Sequence, residues 1–136
     1  MREILFRGKK VINDEWVEGL LVKDTEFYGK PDIHAYIVNH KHPSGCFGGD
    51  IYFEVIPETV GQYTGLSDKN GKKIFEGDVV QMRTRGLSGR GVIVFKDGSF
   101  GIDDKKRKRF YYMYHDAVYR VDGNIHDNPE LLKGGD

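Results

Sequence analysis

Little in this chain can be braced covalently, threaded through a bilayer or wound into long helices. Its 136 residues include a single cysteine, which excludes an internal disulfide and fits a cytoplasmic setting. No apolar run approaches the ~20 residues of a membrane-spanning helix. The N-terminus also lacks the apolar core of a signal peptide, so a cytoplasmic protein with no membrane partner is expected. Ala, Leu and Met together number only 12, against 43 for Val, Ile, Phe, Tyr, Trp and Thr. That balance disfavours a helical bundle, because β-branched and aromatic side chains lose rotamer freedom in a helix and fit a pleated sheet. Charge of one sign is missing as well. Lys and Arg equal Asp and Glu at 21 each, which argues against a protein that coats polyanions over its whole surface.

What is present is glycine, 18 residues or about 13% against a usual ~7%, and short strand signals separated by turn residues. The length suits one domain or two tightly joined subdomains. It is also enough to bury roughly two-thirds of the unfolded surface. Strands are expected at Ile4–Arg7, Glu15–Lys23, His34–Asn39 and Ile51–Ile56, with Trp16, Leu20 and Val22 sharing one side of the second. Pro57–Val60 reads as one helical turn stopped by Gly61. Asn70-Gly71 signals a tight reversal. Further strands are expected at Val79–Thr84, Gly91–Lys96, Ser99–Ile102, Phe110–Tyr114 and Ala117–Val121, with a turn over Gly86–Gly91. Asn128-Pro129-Glu130 offers an N-cap, Pro at N1 and an acid in the first turn, hence a short terminal helix. The expected fold is mainly β: an N-terminal β part over 1–60 and a small SH3-like barrel with a short C-terminal helix over 61–136.

The even charge total hides an asymmetry. Residues 1–62 carry net −3, residues 83–110 net +6 and residues 111–136 net −3. The positive block holds Arg83, Arg85, Arg90, Lys96 and the run Lys105, Lys106, Arg107, Lys108, Arg109. Beside it lies Phe110-Tyr111-Tyr112-Met113-Tyr114, whose alternation sends Phe110, Tyr112 and Tyr114 one way and Tyr111 and Met113 the other. Basic side chains next to aromatics suit a nucleic acid, with phosphates neutralised and bases stacked. The plainer reading is a solvated loop beside a core strand. The candidate binding residues are Arg83, Arg85, Arg90, Lys105, Lys106, Arg107, Lys108, Arg109 and Tyr111.

His40, His42 and Cys46, with Asp50, are ligand types that zinc uses, but one thiol in a Gly-rich loop falls short of a four-ligand centre. The same residues lack an orienting third group for a Cys–His nucleophile. Gly65–Lys72 has five residues between its glycines, one more than a phosphate loop has, and Lys73 replaces the hydroxyl. Asp68-x-Asn70-Gly71 brings its glycine too early for a calcium loop. Gly86-Leu87-Ser88-Gly89 matches a G-x-x-G clamp only in its glycines. No cofactor or metal is expected, and no catalytic residue is assigned.

Val60 to Val80, read as VGQYTGLSDKNGKKIFEGDVV, resembles the signature of the YopX family of phage and prophage proteins. The opening Met1–Lys9 and the closing Gly123–Leu132 are similar to that family's two ends. The resemblance implies a small β-rich protein with a C-terminal SH3-like barrel, made inside a bacterium. It brings no activity, substrate or catalytic residue. The expectation is a non-enzymatic accessory module that binds nucleic acid through the basic block. The alternative is a module that binds a phage or host protein, or its own copies as a homo-oligomer. A third reading is a small enzyme using the 40–46 loop.

Overall fold

The computed structural model describes residues 2–24, 34–39 and 51–132. The chain divides into two compact units, 1–62 and 63–136. Every ladder among the described residues is antiparallel.

In the first unit, β1 (Phe6–Lys9) pairs with β2 (Trp16–Asp24), β2 with β3 (His34–Asn39), and β3 with β4 (Ile51–Val55). The Asn13-Asp14 turn between β1 and β2 is closed by Glu15 N–H donating to Asn13 Oδ1 at 3.1 Å. Asp14 takes a left-handed φ of 60°, which short Asp side chains tolerate. A 3-10 turn, Pro57–Thr59, follows β4. There Thr59 Oγ1 accepts the Lys9 N–H at 2.9 Å and donates to the Ile56 carbonyl. The core is Val17, Ala35, Ile37 and Val55, with Phe6, Leu21, Phe53 and Val60 packed against it. Trp16, Leu20 and Val22 share the outer side of β2: Leu20 and Val22 are 45% and 43% exposed, and Val17 and Leu21 face in. β2 is apolar on both faces, so alternation alone did not decide which side the core would take.

β5 (Gly61–Ser67) begins in the first unit, where Gly61 and Gln62 pair with β1. Its remainder pairs with β6 (Lys73–Phe75) in the second. The Asn70-Gly71 reversal forms as expected, with Gly71 at φ 83°, a value that glycine adopts without a Cβ clash. β7 (Asp78–Thr84), β8 (Leu87–Lys96), β9 (Ser99–Asp104), β10 (Arg109–Tyr112) and β11 (Val118–Asn124) then form a sheet of order β10-β9-β8-β7-β11. Its core is Ile74, Val80, Met82, Ile93, Ile102, Tyr111 and Tyr119.

Three sequence expectations need correction. β10 and β11 stand at opposite ends of the sheet order and no ladder among the described residues joins them, so a closed barrel is not formed. The terminal helix is a 3-10 turn, Pro129–Leu132, followed only by residues outside the described set. Four residues are too few for an α-helix to recover its nucleation cost. The presumed turn over Gly86–Gly91 is mostly strand, because β8 starts at Leu87 and Ser88 already pairs with Arg83.

Candidate functional site

The site follows from strand register in the second unit. Side chains alternate across a sheet, so the step from Val80 and Met82 in the core to Val79, Gln81 and Arg83 reverses the face. Gln81 lies opposite Arg120 of β11 and also opposite Arg90 of β8. One row across the outer face therefore reads Arg120, Gln81, Arg90. The next row reads Val118, Arg83, Ser88 by the same pairings.

Asp122 organises the first row. Its Oδ1 accepts from Arg120 Nε at 2.8 Å, and its Oδ2 accepts from Gln81 Nε2 at 3.2 Å and sits 3.7 Å from Arg90 Nε. Arg107 enters from the turn between β9 and β10. There the buried Asp104 accepts the Arg107 N–H at 3.1 Å and lies 3.8 Å from its guanidinium. Lys69 enters from the Asn70-Gly71 turn, where its N–H donates to the Tyr119 carbonyl at 2.9 Å. Lys69, Arg83, Arg90, Arg107 and Arg120 thus line one cleft of about 430 Å³. Asp122 and Asp104 pair with three of these five cations, Arg90, Arg120 and Arg107. Such a cleft can neutralise several phosphates at once.

That turn is itself built by an acid. Asp68 Oδ1 accepts the N–H groups of Asn70 and Lys72, both at 2.9 Å, and Oδ2 accepts that of Val121 at 3.3 Å. Burial pushes the Asp68 carboxyl up, but the Lys72, Asn70 and Val121 N–H donors and the Lys72 charge hold it below its ordinary value. Asp78, fully buried, accepts the Phe75 N–H at 2.8 Å. These acids shape backbone at separate places. Among the described residues no group of three or more His, Cys, Asp or Glu side chains is arranged to hold a metal ion.

Of the basic residues singled out from sequence, the structure brings Arg83, Arg90 and Arg107 into this cleft. Lys105 and Lys106 line a neighbouring one with Arg90 and Arg107. Arg85 sits exposed in the β7–β8 turn and Lys108 exposed in the β9–β10 turn, and neither lines either cleft. Arg109 is exposed on β10 opposite Asp104.

Tyr111 does not line either cleft. Its ring is 8% exposed in the core, lying over Gly89, where a Cβ would come within 2.7 Å of it. Its neighbour Tyr112 is 54% exposed and stacks edge-on with Phe110, which also carries Lys96 Nζ 5.5 Å from its centroid. Lys69 and Arg120 were missed from sequence. Arg120 lies in a segment that is acidic on average, and only the pairing of the last strand with β7 carries it to Gln81. His40, His42, Cys46 and Asp50 lie outside the described residues.

Among the described residues no helix is long and apolar enough to cross a membrane. A search of curated proteins finds no match. The chain is similar to the crystal structure of protein EF1440 from Enterococcus faecalis, at 24% identity over 97% of this chain and 99% of that one, with a TM-score of 0.48. It is also similar to the crystal structure of protein yopX from Bacillus subtilis, at 15% identity over the same shares, with a TM-score of 0.52. That second likeness concerns the fold alone. The model of the YopX protein family matches residues 5–133, nearly the whole length, and the chain belongs to that family.

Proposed function

We propose that the protein is a non-enzymatic phage or prophage accessory module that acts inside the bacterial cell by binding nucleic acid. Its binding surface is the outer face of the five-stranded sheet. The observation that carries the reading is the convergence of Lys69, Arg83, Arg90, Arg107 and Arg120 on one cleft. They come from three strands and two turns, and Asp122 and Asp104 fix the directions of three of the guanidinium groups. Pre-positioned guanidiniums lose little freedom on meeting phosphate and suit its geometry. The sheet order, with the last strand beside the first of the meander, also supports an SH3-like type for this unit.

The test is fluorescence anisotropy with labelled oligonucleotides across a salt series. Five phosphate contacts lower affinity by about two to three powers of ten between about 50 and 200 mM salt. The double variant Arg90→Glu, Arg107→Glu flattens that slope and weakens binding to every sequence alike. Binding that persists unchanged at high salt, or no binding at low salt, rejects the reading.

A second reading, self-association or capture of a phage or host protein, draws on β10. It ends the sheet order and exposes Tyr112 beside Phe110, and an edge strand with exposed aromatics invites pairing. Light scattering at high concentration distinguishes it, since a strict monomer counts against self-association.

A further inference from the structure

Next to the cationic cleft, on the same face of the same sheet, is a second cleft of about 370 Å³, within the size range of small-ligand pockets, ~300–1,000 Å³. Register explains its floor. Val79 lies opposite Val92, two residues along from the Gln81–Arg90 pair, and Val92 lies opposite Asp103. Val94 extends the apolar strip, and Ile125, Leu131 and Leu132, from beyond β11, close one side. Arg90 and Arg107 line both clefts. The wall of the apolar cleft also holds Asp103 and Asp104, with Lys105 and Lys106 at its rim.

We infer that this cleft receives an unpaired nucleobase whose phosphate lies on Arg90 and Arg107, so that the ligand is single-stranded nucleic acid and not a duplex. The inference rests on the nucleic-acid reading above and names the form of nucleic acid that the same face takes. Three observations point to it. Aliphatic side chains offer a flat ring the contact area that water denies it. Asp103 in the wall, opposite Val92, can accept the N–H groups that bases carry, while the aliphatic floor gives a phosphate no partner, so the neutral ring is sorted to this cleft and the phosphate to the five-cation cleft beside it. The arginines common to both clefts place these two environments one nucleotide's reach apart. A duplex keeps its bases stacked inside and would leave the apolar cleft empty, whereas a single strand splays its bases outward.

The experiment measures equilibrium binding of the full chain to three probes of equal length, about ten nucleotides, at one low salt concentration. They are a mixed-sequence single strand, the same strand with every base removed, and the duplex. All three present phosphates, so only contact with bases separates the first two. The intact strand is expected to bind about ten-fold more tightly than the abasic strand, as withdrawing roughly 60 Å² of base surface from water contributes, and also more tightly than the duplex. Leu132→Ser, at a half-exposed position, and the nearly isosteric Val94→Thr each remove most of the intact strand's advantage while leaving abasic binding unchanged. Circular dichroism and melting temperature verify the fold of each variant. Equal affinity for intact and abasic strands, preference for the duplex, or folded variants that keep the full advantage overturn the inference and leave the proposed function standing. Absence of binding to all three probes overturns both.

Discussion

Along β7 through β11, a step of one residue separates two different media. Val80, Met82, Ile93, Ile102, Tyr111 and Tyr119 are all at least nine-tenths buried. Gln81, Arg83 and Arg120, each next to one of them, and Arg90, three positions from Ile93, are half-buried or exposed. Tyr111 and Tyr112 put the contrast in two adjacent residues of the same type, 8% and 54% exposed. The inner face holds the core; on the outer face Val79 and Val92 are buried too, but the arginine rows beside them stay accessible. Chemical type therefore says less about a residue's role here than its parity along the strand.

The sharpest way to break this comparison is to truncate the two tyrosines. Tyr111→Ala is expected to cost about 3–5 kcal/mol, as for other large core rings. Tyr112→Ala should stay within about 0.5 kcal/mol, as surface changes do. Denaturant titration measures both, and similar losses would mean that the two faces are not distinct.

Asp68→Ala comes next. It strands the Asn70, Lys72 and Val121 N–H donors and should cost about 1–3 kcal/mol, read from the same titrations. Because the carboxyl is held below its ordinary value of 3.8, its contribution is complete above that pH and is lost as pH falls through the lower folded value. Acid titration should therefore find the variant less sensitive than the parent below pH 3.8.

Tyr119→Phe is smaller. The hydroxyl donates to the Tyr114 carbonyl at 2.6 Å, a bond worth about 0.5–1.5 kcal/mol net. Burial, with the nearby Asp116 and Tyr114, raises the Tyr119 phenol from 10.0 to about 12, although its hydrogen bond to Tyr114 acts the other way. A raised folded value means that its contribution is full below pH 10 and is lost between pH 10 and about 12. Alkaline melting curves of parent and variant should converge across that window.

Arg83→Ala, on the outer face, should change stability least, within about 0.5 kcal/mol. It should lower oligonucleotide affinity and reduce the salt slope by about one contact. A large loss of stability would show that the outer face also carries the fold.

Much of this is legible in the sequence. Asn70-Gly71 turns the chain because glycine reaches φ 83° freely. Pro57 starts a 3-10 turn with its φ already set, and the β-rich composition produced strands. Parity was harder. β2 and β10 are apolar on both sides, so alternation left the core side of β2 open, and Tyr111 stood among the candidate binding residues although it faces the core. The basic block was visible as a run of charge, but its members disperse: Arg83, Arg90 and Arg107 converge, Arg85 does not. Lys69 and Arg120 join from segments that looked like a turn and an acidic tail.

Alternation, turn chemistry and the scarcity of helix formers determined by themselves that this chain folds as short antiparallel strands, because those preferences act over two to four residues. Which cations share a cleft, and whether the sheet closes, depended on pairings such as β11 with β7, whose partners lie tens of residues apart. Register across that distance is chosen by the burial of whole faces. No local pattern contains that sum.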